Sequence, residues 1–162
     1  MKNLFFCFFI LFFLAGNAFA SPYWMSKIMA EGEDIDGANS QEIFIGISKK
    51  VINVPAPPSP PTYSVKIELI SGDELLSKEL KTDSNSKMFW IIAVDPNGNL
   101  LPNKPRKCLL KWDSSSFGDG YYSLKKGYTG DGETILSDLS DSESYEIYSK
   151  KIQYFTINYE PF

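Results

Sequence analysis

Histidine is absent from this chain, so the side chains left to do chemistry are acids, hydroxyls, aromatics and cysteine. Without imidazole there is no Ser–His or Cys–His nucleophile, no histidine metal ligand and no ordinary general base near neutral pH. Cys108 lies in "KCLLKWD", where alternation puts Cys108, Leu110 and Trp112 on one strand face and Lys107 and Lys111 on the other. With an apolar face and nothing to activate it, the thiol is expected to be buried and inert. Paired carboxylates could still hydrolyse glycosides, but only if two acids stood about 5 to 10 Å apart in a cleft. Most acids here fall in turn sequences, where solvated surface is their ordinary place. The expectation is a chain with no catalytic residues.

Oxygen ligands for calcium gather in "EGEDIDG", in "TGDGE" and in "DPNGN" (Asp95, Asn97, Asn99). Calcium takes about six to eight oxygens, and in a calcium loop glycine stands at about the sixth position with a closing Glu. Gly98 falls at the fourth position of "DPNGN" and no Glu follows it. Turn chemistry accounts for these residues, so calcium is a weak candidate and no cofactor is expected.

Aromatic residues make up 15% of the chain, enough for a binding platform if some stand on an exposed face. Adjacent Tyr121 and Tyr122 must point to opposite faces of a strand, and Tyr148 and Tyr154 lie opposite the apolar Ile147 and Phe155. These four tyrosines are the candidate contact residues for a protein partner or for sugar rings.

The elements that would position them are strands. Period-two alternation and β-branched or aromatic residues mark nine: 23–30, 42–48, 63–70, 87–94, 107–112, 121–126, 133–136, 144–149 and 151–159. Between them, Pro96 and Gly98 suit a turn, as do "GDG" and "TGDGE". The best helical pattern is "DELLSKELKT" (73–82), with Leu75, Leu76 and Leu80 at helical spacing, but it is short and lies between strands. Strand 87–94 is apolar on both faces, with Trp90 on one, so it must be covered on both sides. These signals together predict an all-β fold, an antiparallel two-sheet sandwich with an N-terminal strand extension. Trp90, Trp112 and Cys108 belong to its core. In "DLSDSESYEI", Leu139 precedes Tyr145 by six residues, the pattern of a tyrosine corner whose hydroxyl bonds nearby backbone.

Residues 54–62 hold five prolines between positions 55 and 61. Each removes a backbone donor and fixes φ, so the stretch should be a rigid extended crossing inside one domain, 21–162, and neither a flexible hinge nor a sheet interior.

The first twenty residues carry a Lys, an unbroken apolar run from Leu4 to Leu14 and the small-x-small triplet Ala18–Phe19–Ala20. This is the pattern of a cleaved secretory signal peptide, too short in its apolar part for a span of about 20 residues. Export to the periplasm or the extracellular surface is expected, with no membrane span afterwards. Loss of Lys2 would move the formal charge from −4 to −5. An acidic chain is a poor partner for nucleic acid or an anionic membrane.

The order "IGIS", "PAPPSPPTYSV", the Trp90 strand, "LLKWDSSSFGDGYYSLKKG", "DLSDSESYEI" and "FTINYEP" resembles an immunoglobulin-like or fibronectin type III-like module of large secreted and surface bacterial proteins. The resemblance implies a fold and a location and supplies no catalytic residues. The function expected is protein–protein contact in an envelope or extracellular assembly, with carbohydrate binding at the surface as the alternative.

Overall fold

The computed structural model describes residues 24–32, 39–58, 65–82, 85–98 and 104–162. The signal-peptide pattern, most of the "EGEDIDG" cluster, Asn99 and residues 59–62 of the proline tract lie outside them.

The fold is all-β. Eleven strands occur among the described residues: β1 (Trp24–Gly32), β2 (Asn39–Ile47), β3 (Ile52–Pro55), β4 (Lys66–Ser71), β5 (Glu74–Lys81), β6 (Met88–Asp95), β7 (Arg106–Trp112), β8 (Tyr121–Lys126), β9 (Thr134–Leu136), β10 (Ser144–Ser149) and β11 (Gln153–Glu160). Each of the nine expected strands has its counterpart. The two additions are β3 and β5.

One hydrogen-bonded path joins ten of them in the order β10-β7-β1-β2-β5-β4-β6-β11-β8-β9, with β3 beside β5. The pairing is mixed, because β2 and β5 run parallel while the other ladders are antiparallel. The strongly curled sheet is a half-barrel, where two separate antiparallel sheets were expected. Strand β5 is the reason. Lys78–Leu80 pair with both β2 and β3, and Leu76 pairs with both β4 and β3. A residue has only two edges, so β3 runs along one edge of β5 while β4 and β2 divide the other. Through that shared strand, β10-β7-β1-β2 continues into β4-β6-β11-β8-β9.

The candidate helix 73–82 is thus strand β5, and its sequence misleads for a local reason. Pro55 pairs with Leu76 and Val54 with Lys78, so Ser77 is an extra residue, a β-bulge. Leu76 faces inward opposite Leu69, and after the bulge Glu79 faces inward opposite Ile45. Leu80 turns outward opposite Gly46. A bulge breaks period two, and the three leucines then imitate helical spacing. Ser77 Oγ donates to Val54 O and Pro55 O at 3.3 and 3.1 Å, holding the irregular step.

The two halves of the curl face each other across one core. Trp24 of β1 meets Trp90 of β6 edge-on at 5.7 Å and Tyr122 of β8 at 5.2 Å. Ile28, Ile43, Ile45, Ile67, Leu69, Ile92, Leu110 and Ile157 fill the space between. β6 is buried on its inner face alone; its outer face, expected to be covered too, is only partly screened and leaves Phe89 40% exposed. Its inner face meets β1, and on the outer face Gly130 of the 127–133 loop sits so close to Phe89 and Asn158 that a Cβ would clash with the Asn158 amide. Lys125 Nζ donates to Gly130 O at 2.8 Å and fixes that loop.

The described part of the proline tract begins as the end of an edge strand. Val54 and Pro55 end β3, and Ala56 N still donates to Leu75 O at 2.9 Å. Proline is tolerated there because β3 is an edge strand. Among the described residues no helix is long and apolar enough to cross a membrane.

Candidate functional site

The structure does not bring the four candidate tyrosines together. Tyr121 is exposed at the start of β8 and packs edge-on against Phe162 at 5.0 Å. Its neighbour Tyr122 points inward, 3% exposed, where burial drives its hydroxyl pKa upward. Tyr154, second in β11, lies at the other end of the β8–β11 ladder and stacks on Tyr128 at 4.1 Å. Tyr148 is 71% exposed on β10, at the far end of the sheet path. No shared aromatic platform results.

The calcium candidates serve a turn. Asp95 Oδ1 accepts from Asn97 N at 3.0 Å, Gly98 N donates to Asp95 O at 3.3 Å, and Gly98 takes φ 54°, which glycine adopts without strain. Asn97 is 3% exposed and its amide donates to Ser149 O at 3.4 Å. Among the described residues no three His, Cys, Asp or Glu side chains form a metal-binding group.

Cys108 is fully buried on β7, and desolvation pushes its pKa up to about 12. Trp90 is fully buried and its Nε1 donates to Glu79 O at 3.2 Å. At the Leu139 corner the bond to backbone comes from Trp112, whose Nε1 donates to Leu139 O at 3.0 Å and Ser142 O at 2.7 Å. The Tyr145 ring lies edge-on to Phe155 at 5.9 Å. The corner expected of a tyrosine is clasped by a tryptophan.

The site with the chemistry of recognition is one that alternation in the sequence did not single out: β3 and the groove beside it. All four residues of β3 are exposed, Ile52 and Val54 each at 40%, and Val51 just before them is exposed too. Among the described residues β5 alone pairs with this strand. Across the outer face, Phe44, Lys78 and Val54 form one row and Gly46, Leu80 and Ile52 the next. Lys78 Nζ lies 5.2 Å from the centre of the Phe44 ring, a cation–π contact.

The groove encloses about 640 Å³ between Ser40, Glu42 and Phe44 on β2 and Val54, Pro55 and Pro57 on the other wall. Gln41, also in the lining, is already committed to the fold, since its Oε1 accepts from Ile67 N at 2.8 Å. Glu42 is the one acid in the lining and meets Lys27 at 3.4 Å. A single ion-paired carboxylate offers no acid–base pair. The groove lies over β5, between β2 and β3, while the unpaired edge of β3 lies on its far side; it is that edge, with its free backbone groups and the exposed Ile52 and Val54 side chains, that suits an extended peptide. The signal in the sequence was "KKVINVPAP": a short β-branched run between lysines and prolines, too brief to read as a strand.

No family model, no curated protein and no solved structure matches the chain.

Proposed function

We propose that this chain is an exported, non-enzymatic β-protein that works by protein contact in an envelope or extracellular assembly, receiving an extended partner segment along β3. The observation that carries the reading is the exposed strand Ile52–Pro55, apolar at Ile52 and Val54, whose edge away from β5 is unpaired among the described residues. Pro55 has no N–H and limits an added ladder to the residues before it. Export is supported by the leader-like first twenty residues. We read the curled sheet as a variant of the immunoglobulin-like or fibronectin type III-like sandwich with β5 at its corner, a reading supported by the segment order in the sequence.

A glycan reading attaches to a different place. Exposed Phe89, Ser71 and the Glu79–Lys81 ion pair (2.9 Å) line a second groove of about 330 Å³. An aromatic ring beside polar side chains is suited to a sugar.

The test is cross-linked capture from the native cells with the wild-type chain and with the double variant Ile52→Glu, Val54→Glu. Both positions are solvent-exposed, so the fold should tolerate the charges. A stoichiometric protein partner held by the wild type and lost from the variant is expected. Equal capture by both would remove β3 as the site, and no partner with either would remove the contact function.

A further inference from the structure

The strongest unassigned surface is the outer edge of β10, which stands at one end of the sheet path and pairs with β7 alone among the described residues. Its hydrogen-bonding phase follows from one bond. Trp112 N donates to Glu143 O at 3.0 Å, and in an antiparallel ladder the residues turned toward the partner strand alternate. Glu143, Tyr145, Ile147 and Ser149 therefore turn their backbone groups to β7, while Ser144, Glu146 and Tyr148 turn theirs outward. Ser144 is already served locally, since Ser142 Oγ donates to its carbonyl at 2.9 Å and accepts from its N–H at 3.4 Å. What remains as an edge is the N–H and C=O of Glu146 and Tyr148.

The charges beside this edge are ordered. Exposed Asp141 and Glu143 precede β10, and exposed Lys150 and Lys151 follow it. A strand that is acidic at its start and basic at its end is complementary to itself when a second copy runs antiparallel. We propose that the protein forms a twofold dimer by pairing β10 with β10 of a second copy, so that the curled sheet continues across the axis. A twofold interface uses one self-complementary patch twice, the commonest arrangement among soluble oligomers.

The register follows from charge and phase. With Ile147 on the axis, Glu146 stands opposite the second copy's Tyr148 and the reverse holds by symmetry. The outward backbone groups then make four hydrogen bonds, and Glu143 falls opposite the second copy's Lys151. Sliding to put Glu146 on the axis sets two carboxylates against each other. Sliding the other way centres Tyr148 and runs the ladder into the bend at Lys150. In the favoured register, Tyr148 lies beside the second copy's Glu146, a carboxylate that meets Lys107 at 2.5 Å within its own chain. That arrangement covers a tyrosine otherwise 71% exposed.

The dimer uses a different edge from β3, so it stands or falls independently of the partner contact proposed there. The experiment is sedimentation equilibrium of the purified protein over a range of concentration and salt. A dimer is expected, weakening as salt screens the flanking charges. Tyr148→Pro removes an outward-facing N–H together with the ring that the interface would cover, and takes no bond from the β7 ladder, so the circular dichroism spectrum should persist while self-association weakens by at least about tenfold. Glu143→Lys should weaken it as well, and adding Lys151→Glu should restore it. A wild type that stays monomeric up to millimolar concentration would overturn the proposal. So would a dimer indifferent to both Tyr148→Pro and the charge exchange, whatever β3 captures.

Discussion

At the scale of single residues, Trp112 carries more of the fold than its apolar bulk suggests. Its buried indole reaches from β7 to two carbonyls of the segment between β9 and β10, Leu139 O and Ser142 O. That one donor takes the place a tyrosine hydroxyl holds in a tyrosine corner. Trp112→Phe keeps an aromatic ring but leaves both carbonyls short of a partner, and one orphaned buried group costs roughly 1–3 kcal/mol. A urea titration should show a lower midpoint with an unchanged slope. Tyr145→Phe, which keeps the contact with Phe155, should cost less. The segment "DLSDSESYEI" pointed to Tyr145 as the donor, and the bonds to its backbone come instead from Trp112, outside it. Which aromatic supplies the bond depends on β7 pairing with β10, a contact between residues more than thirty positions apart.

At the scale of elements, β5 decides the architecture. One bulge at Ser77 lets a single strand pair antiparallel with β4 through its first residues and parallel with β2 through its last. It also lets β3 bind along the opposite edge. Ser77→Ala removes the hydroxyl that donates to Val54 O and Pro55 O, a loss of about 0.5–1.5 kcal/mol. The effect should be local: amide exchange should accelerate across β3 and the end of β5, while β6 and β11 keep their protection. Uniform acceleration through the whole sheet would show that β3 is no separate unit. Periodicity misses this strand because a bulge shifts the inward face by one residue, and no composition rule marks where that shift falls.

At the scale of the whole molecule, burial holds the protons of two core groups more tightly than water would. Cys108 on β7 has its pKa pushed from 9.0 up to about 12, and Tyr122 on β8 is raised for the same reason, desolvation, with Tyr159 and Asp119 adding to it. Both groups are neutral in the native core and ionise more readily in the unfolded chain. Their contribution to stability is therefore complete below pH 9 and is lost progressively as pH rises toward and beyond 12. Denaturation midpoints measured from neutral to strongly alkaline pH should fall above pH 9. Cys108→Val should make that fall shallower, with Tyr122 responsible for what remains. A midpoint level through pH 11 in the wild type would contradict it.

Composition and alternation by themselves determined that this chain is built of strands, located nine of them, and removed histidine-based chemistry. Those properties are local, since a residue's type and its neighbours at i±2 set strand propensity and the face it can bury. The tertiary structure alone decided that the strands join into one curled, mixed sheet, that Tyr122 turns inward while Tyr121 and Tyr148 turn out, and that β3 is left as an exposed edge beside a groove. These outcomes depend on which distant strands pair, and a single extra residue in β5 is enough to redirect that pairing.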